Sequence, residues 1–533
     1  MGLVVMTPRA PTSVRLFVLL VAAATALAMT GCSPIGDVGS GSRSTPATTR
    51  ATSTAAAPSS SPISAELAAP DPSLLKAGRA TLVHEGLTVT SLLVDHQLPG
   101  LAYSLDIVRG QILRQHQWTG GGPLSVSPTL VASSSRAVAV SIRARTAAGT
   151  STAVVYYDPQ SNHSFSSTAL VAPAHWGALV ARVGALAGDH RDRAVAQLSQ
   201  PTFPHGTGPA LGFSGSGDLV IVFQPVDGQQ LSPLAIAGDE AAGLLTPLGV
   251  HARAAARYAT AATTPASFAD LDPALVGTAP PSPAPSTSPN SASSAGVTPT
   301  ATPTATPDPR PSLVLGTDCS VAKCVVLTFD DGPLPQTADV LAQLHQLRAP
   351  ATFFMLGTSV DQYPTMVTTV AANGMEIASH HQFHTDMRRT HGERLSREVA
   401  QSAQNLRAAA GHDPLFLRPP YGARNTQTDA AVAEQGMVVA LWSVDTLDWK
   451  HSKDTQPAAQ AAILATLRKQ IGNGGVVLMH DIHGNSRAST TAVVTTLRQQ
   501  GYTLVTLAEL APAQYRFGKA FCTSLAVRPP CVR

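Results

Sequence analysis

The chain has 533 residues, 36 Lys+Arg against 33 Asp+Glu, and a formal net charge of +3. The length implies more than one domain. A charge this close to balance excludes electrostatic capture of nucleic acid as the organising activity.

In chain order, residues 1–31 read as a targeting segment. Arg9 and Arg15 give a positive start, and Leu16–Ala28 is an apolar run of signal-peptide length, too short for a membrane span. It ends Met29-Thr30-Gly31-Cys32, small residues followed by cysteine, which resembles the bacterial lipoprotein cleavage box. The resemblance implies lipidation of Cys32 and an anchor at the outer face of the cell membrane; an ordinary secretion signal cut nearby is the alternative. Residues 32–68 are rich in Ser, Thr, Pro and Ala and cannot bury a core, so they read as a disordered tether. A second such stretch, 276–312, contains TPTATPTATPDP and reads as a semi-stiff spacer.

Residues 69–275 read as an α+β accessory domain. Ala137–Ile142 alternates apolar and small residues, Ala153–Tyr157 and Leu219–Phe223 are apolar strands, and His175–Leu186 suits a helix. Asp239-Glu240 opens a short helix that ends before Pro247. No metal-ligand spacing, nucleophile set or phosphate loop occurs there, and His175 and Trp176 read as packing residues. The order of these elements loosely resembles the extracytoplasmic domain of RsiV-type anti-sigma factors, which implies a binding or spacer domain on the cell-wall side.

Residues 313–533 alternate strand and helix. Predicted strands are Val325–Phe329, Thr352–Met355, Glu376–Ala378, Leu415–Leu417, Val438–Trp442, Val476–Met479 and Thr503–Thr506; helices lie between them. Repeated βα units predict an α/β fold, a distorted barrel of about seven parallel strands. Four cysteines fall in this domain. The local pairs Cys319–Cys324 and Cys522–Cys531 are the preferred disulfides, with a cross-link between tail and domain start as the alternative and zinc as a weaker one.

The polar residues of interest stand where those strands end. Asp330 and Asp331 follow the first strand; two adjacent carboxylates raise each other's pKa, a cost that a cation relieves, although Asp-Asp-Gly-Pro also suits a capped turn. His380 and His384 are four apart, so a helical turn would point both imidazoles one way, and with a carboxylate they make a metal set that leaves open positions. His381 creates a register ambiguity, being three from His384. Arg418 begins Arg-Pro-Pro-Tyr-Gly, where a stiff turn presents an arginine to a carboxylate and a backbone N–H to an oxyanion. Trp442-Ser443-Val444-Asp445, with Asp448-Trp449 beyond, and Leu478-Met479-His480-Asp481 complete the series. His480 suits a general acid. Each of the last three also reads as a plain strand-to-helix turn.

TFDDG, HxxxH, RPPYG, WSVDTLDW and LMHD, in this order, resemble the five motifs of the polysaccharide deacetylases, carbohydrate esterase family 4 or NodB-homology domains, over residues 320–512. The segment DCSVAKCVVLTFDDGP is similar to actinobacterial members. The resemblance implies Asp330 as catalytic base, Asp331, His380 and His384 as metal ligands, and Arg418 as support for the base. It implies the Tyr421 N–H as oxyanion donor and His480 as general acid, with Asp445 beside it tuning its pKa. Trp442 and Leu478 would shape the acetyl pocket. The implied cofactor is a divalent cation, Zn2+ or alternatively Co2+ or Mn2+. The family's usual Ser or Thr after the first motif histidine is His381 here, which predicts an altered support for the metal loop. The expected protein is a monomer that acts on a cell-wall glycan, peptidoglycan N-acetylglucosamine first. Chitin oligomers, poly-N-acetylglucosamine and acetylated xylan are alternatives, as is a wall-binding or sensing lipoprotein with little activity.

Overall fold

The structure, a computed structural model, describes residues 63–94, 97–263, 316–319, 321–510 and 519–522. The targeting segment, Cys32, residues 33–62 of the tether, the 276–312 spacer and Cys531 lie outside the described residues. All described residues fall in one compact unit that begins at Ser61. Among them, no helix is long and apolar enough to cross a membrane.

A six-stranded sheet runs in sequence order: β1 (Gly78–His84), β2 (Leu87–Leu93), β3 (Leu124–Ser133), β4 (Val138–Thr146), β5 (Gly149–Asp158) and β6 (His163–Ser166). Only the β2–β3 pair is parallel, because the helix Pro99–Trp118 provides the crossover that a parallel connection needs. A smaller antiparallel sheet follows, β7 (Ala210–Phe213), β8 (Leu219–Val222) and β9 (Leu234–Ile236). The predicted strands at 137–142, 153–157 and 219–223 fall in β4, β5 and β8, and the helix expected from His175 is Trp176–Leu186. Residues 63–68, read from composition as tether, lie on this fold: the Ala68 N–H donates to the Phe213 carbonyl at 2.8 Å, and Ala68 is buried.

The C-terminal part forms a wholly parallel sheet of β10 (Cys324–Asp330), β11 (Thr352–Met355), β12 (Glu376–Ser379), β13 (Phe416–Leu417), β14 (Val438–Ala440), β15 (Val444–Asp445), β16 (Gly475–His480), β17 (Thr503–Val505) and β18 (Ala520–Phe521). The order is β15-β16-β10-β11-β12-β13-β14-β18, with β17 also paired to β10. β10 is buried along its whole length, as the apolar run Val325–Leu327 predicts for a central parallel strand. The sheet has nine strands instead of about seven, and its path does not close between β15 and β18 among the described residues. The surplus is β15 and β18, two residues each, too short to carry a period. Cys319 and Cys324 are disulfide-bonded at the entrance to β10, and Cys522 is also disulfide-bonded.

The helix Pro99–Trp118 joins the two halves. One apolar cluster runs from Leu82, Val89, Leu105 and Val140 into Val325, Leu344, Phe353 and Val370 without a break. The seam also holds charge. Arg114 donates to the Gly374 carbonyl at 2.7 Å and to Glu509 at 2.5 Å, and Gln111 donates to the same Glu509 oxygen at 2.9 Å, all buried. Gly374 has φ +69°, and a Cβ there would stand 2.4 Å from the Gly110 carbonyl, so the backbones meet directly.

Candidate active site

Loops at the C-terminal ends of β10, β12 and β13 build one side of the site. Each contains a non-glycine residue in the left-handed region: Asp331 (φ 77°), His381 (φ 67°) and Tyr421 (φ 61°). Such residues persist only where their surroundings hold them, and they gather at working sites.

Asp331 Oδ1 lies 3.3 Å from His380 Nε2 and 3.2 Å from His384 Nε2. These three ligand atoms all lie within 4.8 Å of one another. The histidines do not share a helical turn, as their spacing predicted; an irregular loop brings their rings to 5.4 Å. His380 is buried, and its Nδ1–H donates to the Arg418 carbonyl at 2.7 Å, which leaves Nε2 as a lone-pair donor towards Asp331. Asp331 Oδ1 is buried and receives no hydrogen bond. Electron-pair atoms that converge without a proton between them fit a bound cation.

Asp330, the last residue of β10, is 2% exposed. Its Oδ1 accepts from Arg418 Nη1 at 2.6 Å, while Oδ2 is 3.9 Å from His380 Nε2 and so faces the Asp331–His380–His384 set. Arg418 is fully buried and spends its donors on Thr328 Oγ1 (2.8 Å) and the carbonyls of Ala440 (3.3 Å) and Leu441 (3.1 Å). Its guanidinium also stacks 3.9 Å above the Phe354 ring. These bonds fix the direction in which the carboxylate points.

His480 ends β16. Its Nδ1 bonds Asp448 Oδ1 at 2.9 Å, and its backbone N–H donates to Asp448 Oδ2 at 2.7 Å. Asp448 is fully buried. Burial alone would lower the imidazole pKa; the Asp448 hydrogen bond and charge, with Asp330 and Asp331 beyond, raise it to about 9. The hydrogen-bond partner of His480 is therefore Asp448, while Asp445, expected beside it, is coupled to it through charge alone. Asp445 Oδ1 instead accepts from the Leu447 N–H at 2.9 Å. Leu447 adopts φ 57°, and that turn carries Asp448 beneath the histidine. The spacing of two aspartates in WSVDTLDW was the available signal, and it did not say which one turns inward.

Tyr421 is 67% exposed, its ring edge-on to His384 at 4.5 Å. Trp442 and Leu478 are buried, and Leu478 is the register partner of both Thr328 and Asp445. His381 points away from the Asp331–His380–His384 set, which resolves its register ambiguity: its Nδ1–H donates to the Phe383 carbonyl at 3.1 Å, and its Nε2 faces Glu398.

A family model described as polysaccharide deacetylase matches residues 317–440. The chain is 36% identical over 201 residues to a peptidoglycan-N-acetylglucosamine deacetylase of Listeria monocytogenes. It is 33% identical over 189 residues to a peptidoglycan-N-acetylmuramic acid deacetylase of Bacillus subtilis. These matches take in 37% and 35% of this chain, and only 41% and 38% of the two relatives' own lengths. A chitooligosaccharide deacetylase of a Bradyrhizobium species is 37% identical over 205 residues, 38% of this chain and 89% of that protein. On this similarity and the five motifs at one site, the chain belongs to the polysaccharide deacetylase family.

Proposed function

We propose that the protein is a metal-dependent hydrolase that removes N-acetyl groups from a cell-wall polysaccharide, with N-acetylglucosamine of peptidoglycan as its substrate. One observation carries this reading: the Asp331–His380–His384 set has an arginine-held carboxylate, Asp330, on one side and an aspartate-held imidazole, His480, on the other. The named activities of the Listeria and Bacillus relatives support the choice of glycan. Cys32, if lipidated, would hold the enzyme at the outer face of the cell membrane, facing the wall.

Asp331, His380 and His384 would hold a divalent cation, zinc in our reading, which supplies charge to polarise the acetyl carbonyl and acidify water. Asp330 takes the proton from the attacking water, with Arg418 fixing the carboxylate. The Tyr421 N–H stabilises the oxyanion formed as the water oxygen bonds the carbonyl carbon. His480, protonated and held by Asp448, gives its proton to the leaving nitrogen as the C–N bond breaks. Acetate and the free amine leave. Trp442 and Leu478 enclose the acetyl methyl group.

The test is acetate release by the full chain, loaded with Zn2+, on peptidoglycan, chitin oligomers and acetylated xylan in parallel. Release from peptidoglycan that a chelator and Asp331→Asn both abolish is the expected result. No release from any of the three by folded, zinc-loaded protein would overturn the reading and favour a wall-binding role.

A further inference from the structure

The loop between the two metal-ligating histidines is short, irregular and carries a residue the family pattern does not predict. His381 is completely buried, although it stands between His380 and the partly exposed loop Gln382–His384. Its backbone is left-handed, at φ 67°. Its N–H donates to Ser379 Oγ at 3.1 Å and its carbonyl accepts from the Gly357 N–H at 2.9 Å, so the chain on both sides is pinned.

The imidazole completes the turn. Nδ1–H donates to the Phe383 carbonyl, the peptide directly before His384. That carbonyl also accepts from the Thr385 N–H at 2.8 Å. On the far side of the ring, His381 Nε2 stands 3.5 Å from Glu398 Oε2, on the helix Gly392–Ala410. Glu398 Oε1 accepts from Arg394 Nε at 2.8 Å, which fixes the carboxylate on its helix. Both His381 Nε2 and Glu398 Oε2 are buried with no hydrogen-bond partner, so each has only the other to face. The ring is a spacer of set length between a rigid helix and the peptide that carries the third ligand.

We propose that His381 is a positioning residue of the metal centre: wedged between the Phe383 carbonyl and the Glu398 carboxylate, its imidazole fixes the turn that returns His384 to Asp331. This rests on the metal-dependent reading above. Outer supports of a metal ligand of this kind typically contribute about 10- to 100-fold in metal affinity.

The test uses the full chain and Zn2+ alone, with dissociation constants from chelator competition and thermal midpoints of the metal-free protein beside them. His381→Ala is expected to weaken zinc binding by about 10- to 100-fold. His381→Asn, which tolerates the left-handed backbone and keeps an N–H donor for the Phe383 carbonyl, should recover most of that loss. Glu398→Ala leaves the loop sequence intact and removes only the outer stop; it should weaken zinc binding by several-fold. It carries the test if His381→Ala does not fold. A positioning role moves the zinc constant, whereas a merely structural one moves only the metal-free midpoint. Zinc binding within twofold of the unaltered protein in folded His381→Ala, or in Glu398→Ala in its place, would overturn the proposal. Asp331→Asn separates the two readings: if it binds zinc as tightly as the unaltered protein, the metal centre itself is wrongly placed.

Discussion

Asp330 and His480 are direct register partners, each the last residue of its strand, on the neighbouring parallel strands β10 and β16. Partners in a parallel pair share a face of the sheet, so backbone pairing alone sets the proposed base and the proposed acid on the same side of the site. Asp330→Asn and His480→Ala should each lower kcat/KM by about a hundred- to ten-thousand-fold. Circular dichroism should stay unchanged. Wild-type rates of acetate release in either variant would remove both assignments.

The bond from Asp448 to His480 makes a prediction about pH. A general acid works only while protonated, so activity falls as pH rises through its pKa, here raised to about 9. Asp448→Asn removes the charge that opposes burial, and the alkaline limb of the kcat/KM profile should move down by about two units, towards the ordinary histidine range. Asp445→Asn should leave that limb nearly where it was. Profiles of the two variants between pH 5 and 10 decide the matter; a limb that moves only in Asp445→Asn would restore the motif-based assignment.

Arg418 is the largest of the fully buried side chains among the described residues. Arg418→Ala would leave Asp330 buried without its counter-charge, a loss of about 3–5 kcal/mol where a buried pair is broken. Arg418→Lys keeps the charge but cannot reach Asp330 and the carbonyls of Ala440 and Leu441 together, so its loss should be intermediate. Denaturant midpoints measure both. Equal stability of Lys and Arg at this position would show that charge alone matters there.

Across the seam, Arg114→Met would strand Glu509. Burial raises the pKa of that carboxyl, and Arg114, with the hydrogen bonds from Thr506 and Gln111, outweighs it and holds it below the ordinary value. A depressed acid stabilises the fold at pH values above its unfolded pKa, and the contribution is lost as pH falls through the folded one. The variant should therefore be about 3–5 kcal/mol less stable at pH 7. The gap should shrink below about pH 4, where the unfolded carboxyl protonates. A gap that stays constant down to pH 2 would mean the ion pair is not its origin.

The site was legible wherever a polar residue follows an apolar strand: Asp330, His380, Arg418 and His480 all stand at such ends, and a change of pattern marks each one. What escaped was decided by turns only a few residues long. Nothing in Thr446-Leu447 announces the left-handed backbone that puts Asp448, not Asp445, under His480. The helix Pro99–Trp118 escaped for a different reason. Arg109, Gln111 and Arg114 interrupt its apolar positions and suggest a solvated face, yet all three are buried. Arg109 pairs locally with Asp106, but the other partners, His412, Glu509 and the Gly374 carbonyl, lie hundreds of positions away, beyond the reach of any local pattern.

Arg114 and Glu509 are separated by 395 positions and are nonetheless a single ion pair. In this chain the parallel sheet therefore depends on the N-terminal portion for the cation that answers Glu509. Recombination that cut the chain in its proline-rich stretch and joined the catalytic portion to a new neighbour would leave an acid and a carbonyl in the interior without the cation that answers them. Exchange of either half between relatives would have to carry both ends of that pair, and drift at one end would demand a matching change at the other. In this chain the two portions form one compact unit, whatever the length of chain that runs between them.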